Sequence, residues 1–175
     1  MMRTATRLFC GLMASWLISH TAQAATQVMI SQTHLCCRAC VVAVDKALTE
    51  IAVVKHESSQ ADGTIRLTAE DDGSIQQAID ALAKAGFYGK LDNPKFKYAS
   101  VDSPSGKVKR LELTGIHNCC GACTKAIKQA LASVSGVQAD SAKPKQSEVV
   151  IEGDFEAKAV VESLLKAGFY AQVKK

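Results

Sequence analysis

Two short motifs each occur twice in this chain, at nearly the same separation. The sequence HLCCRAC at residues 34–40 returns as HNCCGAC at residues 117–123, and KAGFY at residues 84–88 returns unchanged at residues 166–170. The last cysteine of one motif and the glycine of the other are 46 positions apart in the first copy and 45 in the second. Matched spacing of this kind predicts two small domains of the same architecture rather than one larger domain.

Within each copy the apolar residues switch between a period of two and a period near 3.6, which predicts the order of strands and helices. In the first copy we expect strands over residues 26–32, 53–58, 64–68 and 87–91. One helix should follow the cysteines, with Val41, Val44, Leu48 and Ile51 on one face, and a second should be capped by Ser74 and end at Gly86. In the second copy we expect strands over residues 108–114, 137–142, 148–152 and 169–173, a helix over 122–134, and a helix capped by Asp154.

Each copy therefore follows the order βαββαβ, which is typical of a ferredoxin-like domain with a four-stranded antiparallel sheet and two helices on one face. The predicted fold is α+β, with two tandem domains over residues 25–91 and 108–175. Residues 92–107 are rich in Ser, Pro and Lys and are predicted to be a linker, with Phe96 and Tyr98 available to pack on a domain.

The first 24 residues have the features of a secretory signal peptide. Arg3 and Arg7 precede a short apolar run, and Ala22-Gln23-Ala24 offers small residues for cleavage, so we expect an exported, periplasmic or secreted protein with no membrane span in its mature chain. Removal of the two arginines lowers the net charge from +4 to +2. Such a weak charge argues against a nucleic-acid partner.

All cysteines beyond the predicted signal peptide lie in the two repeated motifs. Structural disulfides would be expected to spread along the chain, so the clustering favours a reactive or metal-binding site. The first turn of a helix stabilises a thiolate, and two sulfurs separated by two residues can bind one soft metal ion. The candidate ligands are the pairs Cys37 with Cys40 and Cys120 with Cys123, a third thiolate from Cys36 or Cys119, and an imidazole from His34 or His117.

The C-x-x-C before the first helix of a βαββαβ repeat, together with Ala-Gly-Phe after its second helix, resembles the heavy-metal-associated domain. That family includes copper chaperones, the amino-terminal domains of metal-pumping ATPases and a periplasmic mercury-binding protein. The resemblance covers each repeat and implies that Cys37, Cys40, Cys120 and Cys123 bind a soft cation, Cu(I) or Hg(II), with Zn(II) as a further candidate. The family usually has Gly-Met-Thr before its first cysteine, whereas this chain has Leu35-Cys36 and Asn118-Cys119 there.

Three functions of different classes remain open at this point. The first is a metal carrier or scavenger that exchanges its ion with a partner protein or membrane transporter. The second is a thiol-disulfide redox protein, although the prolines, Pro94, Pro104 and Pro144, do not stand where a thioredoxin-like site needs one. The third is an interaction module that senses metal or redox state.

The sequence does not favour an enzyme acting on an organic substrate, because it shows neither a nucleophile with a paired base nor a phosphate-binding glycine loop. A dimer bridged by metal between cysteine loops is compatible with the sequence. The sequence leaves open whether the two domains share one ion or bind ions separately.

Overall fold

A computed structural model describes residues 25–51 and 54–174 of the chain. The predicted signal peptide lies outside this part. The first half contains β1 (Thr26–Ser31), α1 (Arg38–Thr49), β2 (Lys55–Ser59), β3 (Thr64–Ala69), α2 (Asp72–Lys84) and β4 (Lys90–Leu91). The second half contains β5 (Lys107–Thr114), α3 (Gly121–Ala132), β6 (Val137–Asp140), β7 (Val149–Glu156), α4 (Ala157–Lys166) and β8 (Gln172–Val173).

Each half forms one four-stranded sheet, in the order β2-β3-β1-β4 and β6-β7-β5-β8. Every named strand pair is antiparallel, and the two halves use equivalent pairings. The predicted α+β class and the βαββαβ order of each copy are therefore confirmed. None of the helices in the described ranges is long and apolar enough to cross a bilayer.

Alternating strand residues and one face of each helix form the core of each half. In the first half Val28 and Ile30 of β1 lie under Val44 and Leu48 of α1 and Ile79 of α2, all of them almost fully buried. The equivalent core of the second half contains Leu111, Leu113, Ile127, Leu131, Val160 and Leu164. Ile51, predicted on the buried face of α1, lies beyond the end of that helix.

Two predicted helix caps were wrong. Helix α2 begins after Asp71, whose carboxylate accepts hydrogen bonds from the backbone N–H (2.8 Å) and the hydroxyl (2.6 Å) of Ser74, so Ser74 lies inside the first turn. Helix α4 begins after Glu156, because β7 extends through Asp154 to pair with β5. Asp154 instead forms ion pairs with Lys107 and Lys109.

The last strand of each copy is shorter than predicted. Strand β4 contains only Lys90 and Leu91, and β8 contains only Gln172 and Val173. The preceding Gly-Phe-Tyr residues leave their own sheets and contact the other half of the chain, as described below. Phe96 of the predicted linker is buried, and the backbone N–H of Asp92 donates to the carbonyl of Met29 (3.1 Å), so the start of this segment packs on the first half.

Candidate metal centre

The Gly-Phe-Tyr segments of the two halves pair with each other across the domain interface. The N–H of Tyr88 donates to the carbonyl of Gly168 (3.2 Å), and the N–H of Tyr170 donates to the carbonyl of Gly86 (3.0 Å). Phe87 and Phe169 face one another as an isolated antiparallel bridge. Because equivalent residues exchange equivalent bonds, the two halves are related by an approximate twofold axis at this point.

Each of these segments also packs against the residues that precede the cysteines of the opposite half. The ring of Phe87 stacks on His117 with centroids 4.3 Å apart, and Phe169 contacts His34 at 4.6 Å. A methyl carbon added to Gly86 would lie 2.2 Å from the backbone nitrogen of His117, and one added to Gly168 would lie 2.5 Å from that of His34. The interface therefore requires glycine at both positions.

This docking brings the two cysteine loops together. The Sγ of Cys36 lies 3.6 Å from Cys120 and 3.4 Å from Cys123, and the Sγ of Cys119 lies 3.6 Å from both Cys37 and Cys40. The two innermost sulfurs, of Cys40 and Cys123, are 3.9 Å apart. All six are free thiols. The six cysteines therefore form one cluster, which we call the six-sulfur centre: Cys36, Cys37, Cys40, Cys119, Cys120 and Cys123.

The helices place the sulfurs at their amino-terminal ends. Cys37 and Cys120 are the N-cap residues of α1 and α3, and Cys40 and Cys123 lie in the first turn of these helices with fully buried side chains. Neither helix has an acidic residue in its first turn to compete for the exposed N–H groups. The partial positive charge of both helix ends therefore faces the centre and favours thiolates there.

Burial and crowding oppose this effect at three of the thiols. Burial raises the pKa of Cys36 to about 12 and also raises that of Cys119. The pKa of Cys40 is raised first by its neighbour Cys123 and then by burial. By contrast, the backbone N–H of Cys123 lowers the pKa of Cys120 to about 7. In the metal-free chain Cys36, Cys40 and Cys119 are therefore protonated near neutral pH, and a metal ion must displace their protons to bind.

The Cys120 thiol should consequently be the one that alkylates fastest near neutral pH. A thiolate reacts and a thiol does not, so its rate should rise through about pH 7 and level off above it, while Cys36 stays slow. Time-resolved labelling of the reduced, metal-free chain with iodoacetamide, followed by peptide mass spectrometry, measures both rates. Equal rates at Cys120 and Cys36 across this range would contradict the assignment.

The two candidate histidines lie beside the six-sulfur centre, and each is near a different set of sulfurs. A ring nitrogen of His117 lies within 4.8 Å of the sulfurs of Cys40, Cys119 and Cys123, and one of His34 lies within 4.8 Å of those of Cys36 and Cys123. The Nε2 atoms of both are buried and have no hydrogen-bond partner among the described residues. Burial lowers the pKa of His34, which keeps its imidazole neutral and able to bind metal.

The residue that replaces the usual methionine in the second copy supports the loop through hydrogen bonds. Asn118 is buried, accepts a hydrogen bond from the hydroxyl of Thr124 (2.7 Å) and donates one to the carbonyl of Lys143 (2.7 Å). Its own carbonyl accepts the N–H of Lys145 (2.7 Å). In the first copy Leu35 is buried in the apolar core instead.

The structure thus brings together every predicted ligand, including both additional cysteines and both histidines. The sequence left open whether the two sites are separate, and the structure shows one centre between the halves. The role of the Gly-Phe-Tyr segments in joining the halves was missed. The sequence feature that could have indicated this role is the unchanged KAGFY motif in both copies.

Residues 114–170 match the family model described as heavy-metal-associated domain. This segment of the chain is therefore similar to the heavy-metal-associated domain. No curated protein sequence matches the chain.

Several solved structures are similar to the chain in fold. The amino-terminal domain of PacS from Synechocystis PCC6803 is 24% identical, with a TM-score of 0.34, and the match covers 39% of this chain and 100% of that one. The apo HMA domain of a copper chaperone for superoxide dismutase is 23% identical, with a TM-score of 0.35 and coverage of 44% and 79%. The soluble amino-terminal domains of Bacillus subtilis CopA are 18% identical, with a TM-score of 0.32 and coverage of 87% and 95%. Values this low carry no argument about function.

Proposed function

We propose that this chain is a copper-binding carrier that holds Cu(I) between thiolates contributed by both of its domains. The observation that carries the proposal is the convergence of six free thiols from two cysteine loops, with sulfurs of different halves 3.4–3.9 Å apart. A centre made only of thiolates, with two imidazoles beside it, selects a soft cation.

The first copy, over residues 25–91, has the same topology and the same C-x-x-C position as the copy that matches the family model, and we propose that it is a second heavy-metal-associated domain. Residues 108–175 form the other domain, and residues 92–107 connect them. The Ala-x-Ala motif after an apolar run in residues 1–24 supports export to the periplasm. In that compartment the chain would bind metal rather than catalyse a reaction.

Ligand exchange provides the route for loading and release. Cys36, Cys37, Cys119 and Cys120 are half-buried, whereas Cys40 and Cys123 are fully buried. A thiolate of a donor or acceptor protein, or of a membrane transporter, can therefore attack the ion from the outer sulfurs first. Hg(II) has the same preference for thiolates, whereas Zn(II) requires a tetrahedral set of ligands.

The reduced chain without residues 1–24 should retain Cu(I) against a chromogenic chelator, and the Ser variant at Cys37, Cys40, Cys120 and Cys123 should not. Loss of these sulfurs removes every C-x-x-C pair, so we expect the affinity to fall by more than the roughly 10–100-fold that loss of a group hydrogen-bonded to a metal ligand costs. The matched control is Ala39→Ser with Ala122→Ser, which adds serine at exposed positions of the same loops and leaves all sulfurs in place.

Three outcomes of this anaerobic titration are informative. Strong Cu(I) binding by the wild type and the control, but not by the Ser variant, supports the proposal. Preference for Hg(II) or Zn(II) over Cu(I) would show a different cargo. No metal binding, together with oxidation or reduction of a test disulfide, would contradict the proposal in favour of a redox protein.

A further inference from the structure

We propose that the six-sulfur centre binds a cluster of about four Cu(I) ions, bridged by thiolates of both domains, rather than one ion at each C-x-x-C. This inference rests on the proposed function and specifies its site. It arises from the arrangement of the sulfurs relative to one another.

The C-x-x-C pairs are not separate sites in this structure. The Sγ of Cys37 is 3.7 Å from Cys40 of its own motif and 3.6 Å from Cys119 of the other half. The Sγ of Cys36 is closer to Cys123 (3.4 Å) than to Cys40 (3.7 Å). A metal ion bound to either motif would therefore have sulfurs of the other half within the same coordination distance.

The contacts among the sulfurs follow the pattern of an octahedron, in which three pairs share no contact and take opposite corners: Cys36 and Cys119, Cys37 and Cys123, and Cys40 and Cys120. Sulfurs from different pairs lie 3.4–3.9 Å apart in most cases and within 4.8 Å in the rest. Each triangular face therefore contains three neighbouring sulfurs. Any set of four corners contains an opposite pair, so the six sulfurs by themselves offer trigonal sites. A set of four neighbouring donors arises where His117 joins Cys40, Cys119 and Cys123.

The size of the faces with measured edges suits a metal–thiolate bond. The face formed by Cys40, Cys119 and Cys123 has edges of 3.6, 3.6 and 3.9 Å. The centre of a triangle with such edges lies about 2.1–2.3 Å from each corner, which compares with roughly 2.3 Å for a metal–sulfur bond to thiolate. Cu(I) is a soft cation that accepts three thiolates in a plane.

The number of ions follows from the faces and from charge. An octahedron has four alternate faces, and ions on these faces use every sulfur twice, so each thiolate bridges two ions. One such set is Cys36, Cys37 and Cys40; Cys36, Cys120 and Cys123; Cys37, Cys119 and Cys120; and Cys40, Cys119 and Cys123. Six thiols would release six protons to solvent and take up four Cu(I), which leaves a net charge of −2. Fewer ions would leave some of the six sulfurs protonated or unbridged.

The experiment uses the reduced chain without residues 1–24, loaded anaerobically with increasing Cu(I). Native mass spectrometry should show mainly the metal-free and the four-copper species at intermediate loading, because each bridging ion stabilises the next. X-ray absorption of the loaded chain should show three sulfurs around each copper and a copper–copper distance. A ladder of one-copper and two-copper species that ends at two, without copper–copper scattering, would overturn the cluster while leaving the proposed function intact.

A paired variant separates the cluster from two independent sites. Replacement of Cys36 and Cys119 by Ser leaves both C-x-x-C pairs but removes one opposite pair of corners, and we expect the copper capacity to fall at least twofold. Two independent sites would keep the same capacity in this variant as in the wild type, which would contradict the cluster. Ala39→Ser with Ala122→Ser is the control and should still bind about four ions. If neither the wild type nor the control binds Cu(I), the proposed function itself fails.

Discussion

Replacement of Gly86 by alanine should detach the two domains from each other and divide the six-sulfur centre. The added methyl carbon would lie 2.2 Å from the backbone nitrogen of His117 and 2.5 Å from the carbonyl oxygen of Gly115, and neither backbone atom can move without moving its loop. The backbone at Gly86 also has φ of +86°, which costs a non-glycine residue about 1–2 kcal/mol. Small-angle X-ray scattering should show a larger radius of gyration, and the copper capacity should fall by about half because the loops no longer share donors.

Two other glycines with positive φ provide the controls for this prediction. Gly106 has φ of +77° with no atom within 4 Å of an added Cβ, and Gly115 has φ of +75° with its nearest atom 4.0 Å away. Alanine at either position carries the conformational cost without the clash, so both variants should lose some stability and keep the compact shape. Gly168→Ala, at the equivalent position of the second copy, should reproduce Gly86→Ala. A compact Gly86→Ala chain with unchanged copper capacity would contradict the role of this contact.

Replacement of Asn118 by alanine should destabilise the second domain and disorganise its cysteine loop. The change leaves the buried hydroxyl of Thr124 with one fewer partner and removes the donor to the carbonyl of Lys143. Loss of hydrogen bonds to buried groups costs about 1–3 kcal/mol, so the urea midpoint should fall measurably with an unchanged slope. Because Asn118 immediately precedes Cys119, the same variant should also bind Cu(I) less tightly.

Partial replacements show whether these hydrogen bonds act together. Thr124→Val removes the hydroxyl's bonds to the Asn118 side-chain oxygen and to the carbonyl of Cys120. It keeps the bond from Asn118 to the carbonyl of Lys143 and should cost less than Asn118→Ala. The double variant should then cost less than the two single losses added together, because both single variants break the same bond. Additive losses would mean that Asn118 acts only through its shape and not through this network.

The sequence predicted the fold well because the fold depends on periodicity. The strands and helices of both copies follow from apolar residues that recur at two and near 3.6 positions, and these residues fill the core as expected. The errors are at element ends, where polar side chains compete. Asp71 and Ser74 could each cap α2, and only the structure shows that the carboxylate accepts the N–H of Ser74. Asp154 was taken for a cap because pairing with β5, which extends β7 past it, leaves no mark in the local sequence.

The candidate ligands were also predictable, since thiols clustered at equivalent helix ends have few structural uses. The shared centre was not predictable in the same way. It depends on the docking of two domains, and the residues that dock them, Phe87 and Phe169, are buried in the manner of ordinary core residues. A tandem repeat does not specify whether its copies face each other. The backbone bonds between Tyr88 and Gly168 and between Tyr170 and Gly86 provide that information.

The most direct test of the shared centre is a crystal structure of the Cu(I)-loaded chain with anomalous diffraction measured at the copper edge. The arrangement of the sulfurs predicts one compact group of anomalous peaks between the two cysteine loops. These peaks should contact sulfurs of both loops: Cys36, Cys37 and Cys40 in the first half, and Cys119, Cys120 and Cys123 in the second. Two isolated peaks, each bound by the cysteines of one half and separated by a gap between the domains, would contradict a metal centre held in common.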